Sequence, residues 1–397
     1  MIGITKLYCG TATPGDALRY GRQSARMPAN LLQFSQDKKP IVVWNCTRRC
    51  NLHCVHCYAD SSDRNYPDEL TTPEARSFID DLAEFGAPVI LFSGGEPFTR
   101  PDVLDLAIYA REKGLRTVFS TNGTLITKEI ARRVKEAGVS YVGVSLDGIG
   151  DHNDRFRGRK GAFRSALDGI ANCVEAGQRV GLRFTINRRN HEDLNAIFDL
   201  IEEERIDRAC FYHLVYSGRG TGMREDALTP EQTRAAVDLI IDRAADFHRR
   251  GLNKDILTVD NHADGVYLYL RVLKEQPERA EEVLQLLRWN GGNSTGIGIA
   301  DVDNQGNVHP DQFWWHYSLG NVRQRKFGEI WTDTSNPLMA GLKNRKGLLQ
   351  GRCASCRYLD ICNGNFRVRA EAVYGDVWAP DPACYLTDEE IGLEAAA

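Results

Sequence analysis

Residues 50–58 read CNLHCVHCY, which places Cys50, Cys54 and Cys57 on one short stretch with the spacing CxxxCxxC. Three thiolates this close together can hold three of the four irons of a [4Fe–4S] cluster. The fourth iron then has no protein ligand and can bind a small molecule. Such a cluster is therefore reactive and does more than carry electrons.

A zinc site is the alternative for this stretch, and His53 or His56 would then have to complete the tetrahedron. Cys46 raises a question of register, because three residues also separate Cys46 from Cys50. Only the set that begins at Cys50 continues with the two-residue gap. Cys46 is therefore interpreted as lying outside the site, and the cluster is the preferred interpretation.

Composition narrows the class of protein. The chain has 397 residues, a formal charge of −4 and no basic tail, so nothing suggests bulk affinity for nucleic acid. Residues 1–40 lack a signal-peptide pattern, and no apolar run is long enough to cross a membrane. The eleven cysteines are clustered, which favours metal binding over disulfides. We expect a cytoplasmic protein.

Residues 41–214 alternate short β-rich runs with amphipathic helical patterns. Six β-then-α units predict a parallel sheet, which right-handed crossovers would curl into a barrel. A full eight-stranded barrel needs about 250 residues, whereas about 175 are used here. The predicted fold class is therefore α/β with a partial, TIM-like (β/α)6 barrel. The predicted strands are Ile41–Asn45, Val89–Ser93, Thr117–Thr121, Tyr141–Leu146, Gly181–Ile186 and Cys210–Leu214.

We expect four segments: 1–40 at the N-terminus, the partial barrel at 41–225, a helical connection at 226–295 and a C-terminal domain at 296–397. The first helix of the barrel is predicted to have Thr72 as its N-cap.

A second group of cysteines lies near the C-terminus. Cys353, Cys356 and Cys362 are followed by Cys384. Four thiolates from one compact region can close either a zinc site or an iron–sulfur cluster, and the spacing alone does not choose between them.

Polar residues follow the predicted strands at their carboxyl ends, where ligands bind in parallel α/β sheets. Such residues are also common turn formers, which is the plainer interpretation of any one of them. Their recurrence at successive strand ends predicts a shared site. In chain order they are Gly94, Gly95, Glu96, Pro97, Ser120, Asn122, Ser145, Asp147, Arg183, His213, Tyr216 and Arg219.

The cysteine stretch and the later Gly94-Gly95-Glu96-Pro97 together resemble the signature of the radical S-adenosylmethionine (SAM) enzymes. In that family the open iron binds SAM, and an electron cleaves SAM to methionine and a 5′-deoxyadenosyl radical. The resemblance implies that the GGEP element meets the methionyl amine and that a reductant such as flavodoxin or ferredoxin is a partner. It also implies contacts of Ser120 and Asn122 with the ribose, of Ser145 and Arg183 with the carboxylate, and of His56 to Tyr58 with the adenine; Asp147 completes this cofactor-binding set.

The C-terminal cysteines resemble a SPASM/Twitch-type extension, with 303–308 and 319–322 similar to its lead-in. The resemblance implies a second, auxiliary [4Fe–4S] cluster held by all four cysteines. Extensions with two auxiliary clusters carry a cysteine where this chain reads Val308-His309-Pro310-Asp311, so one cluster is expected.

The chain also resembles a narrower family, the 12,18-didecarboxysiroheme deacetylases (AhbC) of the alternative heme pathway. The similar stretches are 1–10, 16–22, 31–35, 211–220, 258–265 and 381–390. Two others, 314–318 and 361–365, are closer to the sister enzymes of heme d1 synthesis (NirJ), which puts in doubt which side chain is cut. The implied reaction removes two acetate side chains from 12,18-didecarboxysiroheme and gives Fe-coproporphyrin III; the alternative removes propionates.

An iron tetrapyrrole needs cations for its carboxylates, aromatic groups for its ring faces and an axial ligand. The predicted substrate residues are His213, Arg219, His309 and Trp315, with His213 and Tyr216 as catalytic candidates; Arg183, Arg367, Arg369, His262 and His316 offer the same chemistry. Two other functions stay open, a SPASM-type peptide-modifying maturase and a non-enzymatic iron–sulfur electron carrier.

Overall fold

The computed structural model describes residues 1–11 and 39–393, and this part is built on one mixed sheet of eleven strands. Across the sheet the order is β1-β8-β7-β6-β5-β4-β3-β2-β9-β10-β11. The strands are β1 Ile2–Gly3, β2 Ile41–Asn45, β3 Val89–Ser93, β4 Arg116–Thr121, β5 Tyr141–Ser145, β6 Val180–Ile186, β7 Arg208–His213, β8 Asp255–Val259, β9 Ile299–Val302, β10 Asn307–His309 and β11 Gly320–Asn321.

Strands β2 to β7 are the six predicted strands, and each observed end lies within two residues of the predicted one. Neighbouring members of this set pair in parallel, from Val42 beside Ile90 at one side to Ile186 beside His213 at the other. The predicted α/β partial barrel is therefore confirmed.

The sheet extends beyond the six predicted strands on both sides. Strand β8 pairs in parallel with β7, and β1 adds to it in antiparallel fashion. Strand β9 pairs in parallel with β2 and leads into the antiparallel β10 and β11. The segment 226–295 is therefore not helical throughout, because β8 interrupts it; the segment boundaries themselves stay a prediction.

Helices cover the outer side of the curved sheet. The α-helices are α1 Ile4–Tyr8, α2 Thr72–Phe85, α3 Val103–Glu112, α4 Lys128–Glu136, α5 Asp151–Arg157, α6 Ala162–Glu175, α7 Leu194–Glu203, α8 Pro230–Arg249, α9 Ala263–Glu275, α10 Ala280–Asn290, α11 Phe327–Thr332, α12 Pro337–Lys343, α13 Gly351–Ala354, α14 Leu359–Cys362, α15 Arg367–Tyr374 and α16 Asp388–Ile391. Short 3₁₀ turns lie at Pro97–Thr99, His191–Asp193, Gly218–Asp226, Pro277–Arg279 and Lys346–Leu348.

The N-cap of α2 corrects the sequence prediction by one residue. Thr71, not Thr72, accepts the backbone N–H of Glu74, and the Glu74 carboxylate accepts the Thr71 N–H in return. This capping box fixes the start of the helix one residue earlier than the proline suggested.

The two faces of the sheet differ in polarity, because successive side chains on a strand point to opposite faces. Outward residues such as Trp44, Phe92 and Phe211 are fully buried in the core beneath the helices. Inward residues include Asn45 and Ser93, which hydrogen-bond with groups of the barrel interior. No helix of the described residues is long and apolar enough to span a membrane.

Two of the stretches similar to the deacetylase family, 16–22 and 31–35, lie outside the described residues.

Candidate active site

The cysteine loop follows β2 and brings its three thiols into one small group. Cys50, Cys54 and Cys57 pack together with Leu52 and Ala162. Burial raises the pKa of the Cys50 and Cys54 thiols. Metal ligation requires thiolates, so loading of this site releases protons and is expected to be pH-dependent.

The two glycines of the GGEP element allow β3 to approach the start of the cysteine loop. Gly94 has φ +142°, and a Cβ there would lie 2.2 Å from the Thr47 carbonyl oxygen. A Cβ on Gly95 would lie 2.3 Å from the Arg49 carbonyl oxygen. The Gly95 N–H donates to Thr47 O at 2.8 Å, so the glycines position the loop through the backbone.

Glu96 lies fully buried below the loop, and its carboxylate collects three donors. Thr121 Oγ1 and the Asn122 N–H each donate at 2.7 Å, and the Phe98 N–H donates at 3.2 Å, where Pro97 opens a 3₁₀ turn. Burial nevertheless raises the pKa of Glu96 to about 7. The carboxyl is therefore poised to change its charge near neutral pH.

Asn122 joins the end of β4 to the cysteine loop. Its side-chain amide donates to Asn51 Oδ1 at 2.8 Å and lies 3.8 Å from Cys50 Sγ. The position beside the thiols agrees with a role near a bound cluster, and its contact with a ribose stays a prediction.

Asp147 is placed differently from the sequence expectation. Its carboxylate is fully buried, forms an ion pair with Arg157 and accepts the Thr185 N–H at 2.9 Å. Arg157 also lies 3.6 Å from Cys54 Sγ. The geometry therefore makes Asp147 an anchor for the arginine beneath the cysteine loop, because its oxygens are committed to protein partners.

His56 and Tyr58 leave the loop on different sides. The pKa of His56 is lowered to about 4 by burial, so the ring is neutral at pH 7, and its Nδ1 has no hydrogen-bond partner among the described residues. Tyr58 turns inward, where its hydroxyl donates to Asn45 Oδ1 at 2.9 Å. A buried ring nitrogen without a partner fits a ligand such as the adenine of SAM.

Arg183 reaches across the barrel interior. Its guanidinium donates to the Tyr212 hydroxyl at 2.6 and 2.9 Å and to Ser120 Oγ. Ser145 stands beside Arg183 in the register of β5 and β6. A Cβ on Gly143 would lie 2.9 Å from Arg183 Cδ, so this glycine makes room for the side chain. The predicted carboxylate contacts thus share one wall of the interior.

The second cysteine group surrounds a cavity of its own. Cys353, Cys356, Cys362 and Cys384 all line it, together with apolar residues of α9, α14 and α16. Burial raises the pKa of Cys384 to about 11. None of the eleven cysteines, all of which are among the described residues, forms a disulfide.

The catalytic candidates lie away from the barrel interior. His213 shares the outward face of β7 with Phe211, and its Nε2 lies 2.8 Å from Asp264 Oδ2 at the start of α9. Tyr216 is buried among Phe156, Leu214 and Met223. The geometry does not favour either residue as a contact of a ring in the barrel.

Of the other predicted substrate residues, Arg219 contacts the cysteine loop, whereas His309 and Trp315 belong to the C-terminal part of the chain. Arg219 donates to Cys54 O and to Asp60, so it holds the loop. His309 is buried, and its Nδ1 lies 2.9 Å from Tyr317 O. Trp315 stacks on His309 and meets Tyr58 edge-on, with ring centroids 6.2 and 6.3 Å apart. Arg219 therefore contacts the cysteine loop directly, and Trp315 contacts Tyr58 of the predicted cofactor set.

Four further candidates have structural partners. Arg369 pairs with buried Asp381 at 2.8 Å, and Arg367 donates to the carbonyl oxygens of Val377 and Ala379. His316 pairs with Glu371 at 2.8 Å. His262 Nε2 lies 3.3 Å from the Met1 amino group. These contacts argue against their use as clamps or axial ligands.

Sequence reasoning missed Arg157 and Tyr212. No motif marks Arg157, whose role appears only when α5 packs against the loop. Tyr212 had a usable signal, because it alternates with Phe211 and therefore faces inward with Cys210.

Residues 44–201 match the family model described as Radical SAM superfamily. With relatives similar over its full length, the chain belongs to the radical SAM superfamily of enzymes.

Among its relatives, Fe-coproporphyrin III synthase of Methanosarcina barkeri is 65% identical over 399 residues, covering 100% of both chains. Pre-heme d1 synthase of Dinoroseobacter shibae is 44% identical, covering 89% of this chain and 88% of the relative. Among solved structures, Streptococcus suis SuiB bound to its precursor peptide SuiA has a TM-score of 0.69 at 19% identity, covering 87% of this chain and 76% of SuiB. That likeness supports the fold alone.

Proposed function

We propose that the protein removes two acetate side chains from 12,18-didecarboxysiroheme and releases Fe-coproporphyrin III. The observation that carries this proposal is 65% identity over the whole length to Fe-coproporphyrin III synthase. Identity to pre-heme d1 synthase is 44%, so removal of propionates is the second candidate.

The residues at the cysteine loop fit the cofactors that the family requires. Three converging thiols and a buried, unpartnered His56 Nδ1 offer ligands for a cluster and a contact for SAM. When bound, the cluster would supply an open iron and pass an electron to SAM, which would be the source of a 5′-deoxyadenosyl radical. A reductant such as flavodoxin or ferredoxin supplies that electron.

The protein groups around this site would hold and orient SAM. Glu96, when ionised, offers a charge partner to the methionyl ammonium. Arg183 offers two nitrogens to a carboxylate, provided that Tyr212 and Ser120 yield part of their hydrogen bonds. Much of the selectivity comes from holding the reactive C–H bond of the substrate in a fixed orientation relative to the radical.

We propose an auxiliary [4Fe–4S] cluster at the second cysteine group. Its four thiols line one cavity, and such clusters are commonly held by four cysteine thiolates. Cys353, Cys356, Cys362 and Cys384 would hold this cluster, which would supply electron transfer for completion of the cleaved product.

The test is anaerobic incubation of reconstituted protein with SAM, dithionite and 12,18-didecarboxysiroheme, followed by mass analysis of the ring. We expect the mass of Fe-coproporphyrin III. An unchanged ring, or a ring that has lost part of a propionate, would contradict the proposal.

A further inference from the structure

Arg64 and Tyr66 of the loop that follows the cysteines stack with Arg48 and Trp315 in a ladder of alternating cations and aromatic rings. The Arg64 guanidinium lies 4.7 Å from the centroid of the Tyr66 ring, and that of Arg48 lies 5.2 Å from the same ring. Arg48 also lies 5.6 Å from the ring of Trp315. These separations are within the range of cation–π contacts.

The ladder leads from the surface to the barrel interior. Arg64 is exposed, Arg48 and Tyr66 are partly buried, and Trp315 meets the ring of Tyr58 at 6.3 Å. Tyr58 directly follows Cys57, the last cysteine of the loop. The ladder therefore ends beside the predicted cofactor site.

The carboxylates of this loop have partners other than the guanidinium of Arg64. Asp63 pairs with Arg49 at 2.9 Å, and Asp60 pairs with Arg219 at 2.8 Å. Glu69 accepts the backbone N–H of Arg48 at 2.7 Å. These three carboxylates therefore have hydrogen-bond or ion-pair partners of their own, which partly compensate their charge.

The ladder arginines keep most of their donors. Arg48 Nε donates to Ala59 O at 2.9 Å, and its Nη2 lies 3.7 Å from Asp60. Arg64 has no ion pair with any residue that the structure describes. Stacking holds both planar groups in place, so less side-chain freedom is lost when they bind a ligand.

We propose that Arg48 and Arg64, held by Tyr66 and Trp315, form a rim subsite that binds carboxylate side chains of the substrate. A guanidinium group can bind a carboxylate through two parallel hydrogen bonds, and an indole offers an apolar face to a macrocycle. The subsite rests on the proposed function, because it requires a substrate that combines a ring with several carboxylates. In this orientation the substrate carboxylates lie at the rim subsite, and the opposite edge of the tetrapyrrole faces the cysteine loop.

The test is an absorbance titration of the anaerobic, reconstituted full-length protein with 12,18-didecarboxysiroheme. Arg64→Gln and Arg48→Gln should each raise its Kd about three- to tenfold, as expected for partly exposed charge-assisted contacts. The Kd for SAM should stay unchanged. Arg49→Gln is the matched control, since Arg49 is a neighbour already paired with Asp63.

Arg64→Gln keeps the test independent of folding, because no hydrogen bond or ion pair of the described residues uses the Arg64 side chain. Weakened tetrapyrrole binding in both variants, with Arg49→Gln at the wild-type value, would support the subsite. Wild-type affinity in Arg64→Gln and Arg48→Gln would overturn the subsite and leave the proposed function standing. No binding by the wild-type protein would overturn both.

Discussion

The Asn122 backbone N–H donates to Glu96 Oε2 at 2.7 Å and so links the GGEP element to the end of the next strand. Asn122 in turn holds Asn51 of the cysteine loop at 2.8 Å. Asn122 therefore links the GGEP element, the end of β4 and the cysteine loop. Changes at Glu96 should therefore affect cofactor binding.

Glu96→Gln should weaken SAM binding about ten- to a hundredfold, the loss expected for one charge-assisted contact. The pKa of Glu96 is raised to about 7, and only its ionised form attracts an ammonium group. Wild-type SAM affinity should therefore fall as the pH drops below about 7, whereas Glu96→Gln should show little of this dependence. Equilibrium binding of SAM from pH 6 to 8 measures both effects. Equal affinities in the two proteins would discard this role.

Two separable clusters are expected from the two cysteine groups. The reconstituted protein should hold about eight irons, two cubes of four. Replacing Cys50, Cys54 and Cys57 by Ala should leave about half the iron and abolish SAM cleavage. Replacing the four C-terminal cysteines should also halve the iron but leave reductive SAM cleavage measurable. Formation of 5′-deoxyadenosine by the first variant would refute the assignment.

Arg157→Gln should lower both stability and iron binding at the first site. Asp147 is fully buried, so removing its partner leaves a poorly compensated charge at a cost of about 3–5 kcal/mol. Anaerobic thermal melting and iron analysis measure the two effects. Arg164→Gln is the control, because its exposed pair with Asp168 should contribute at most about 1 kcal/mol. Similar melting temperatures for the two variants would contradict the anchoring role of Asp147.

Asp260→Asn should change how stability depends on pH. Burial raises the pKa of Asp260 from its ordinary value of 3.8 to about 7. The folded protein thus retains a proton that the unfolded chain loses, and its stability falls as the pH rises from about 4 to about 7. Above pH 7 the ionised Asp260 lowers the free energy of unfolding by up to about 4 kcal/mol, at about 1.36 kcal/mol per pKa unit.

The asparagine variant should therefore exceed wild type in stability at pH 8, and this advantage should shrink at pH 5. Asparagine also tolerates the left-handed backbone at this position, where φ is +65°. Unfolding free energies at the two pH values are the measurement. A constant difference between the proteins would show that Asp260 does not titrate in this way.

The six central strands could be predicted because each is a short apolar run whose following helix has a clear stop. Strand β8 contains a similar apolar run, Ile256–Val259, but lies in a segment that the sequence analysis assigned to a helical connection. The two-residue β1 has no such run and depends on pairing with β8. Strands β9 to β11 likewise belong to the sheet only because β9 pairs with β2.

The candidate site also contains features that the sequence predicts and others that it does not. Spacing predicted that Cys50, Cys54 and Cys57 lie together, as they do, because they are close in sequence, whereas the GGEP element was singled out through the family resemblance. The direction of His213 and the partners of Asp147 depend on strand register and on α5 and α9, which spacing does not encode. Strand alternation from Phe211 was the one local clue that could have corrected His213.

The most direct test of the central claim is the stoichiometry of turnover on substrate that carries ¹³C in its two acetate side chains. The proposed function predicts two labelled acetates and two molecules of 5′-deoxyadenosine for each Fe-coproporphyrin III formed. Retention of both labelled acetates in the ring, with loss of carbon from propionates instead, would contradict it.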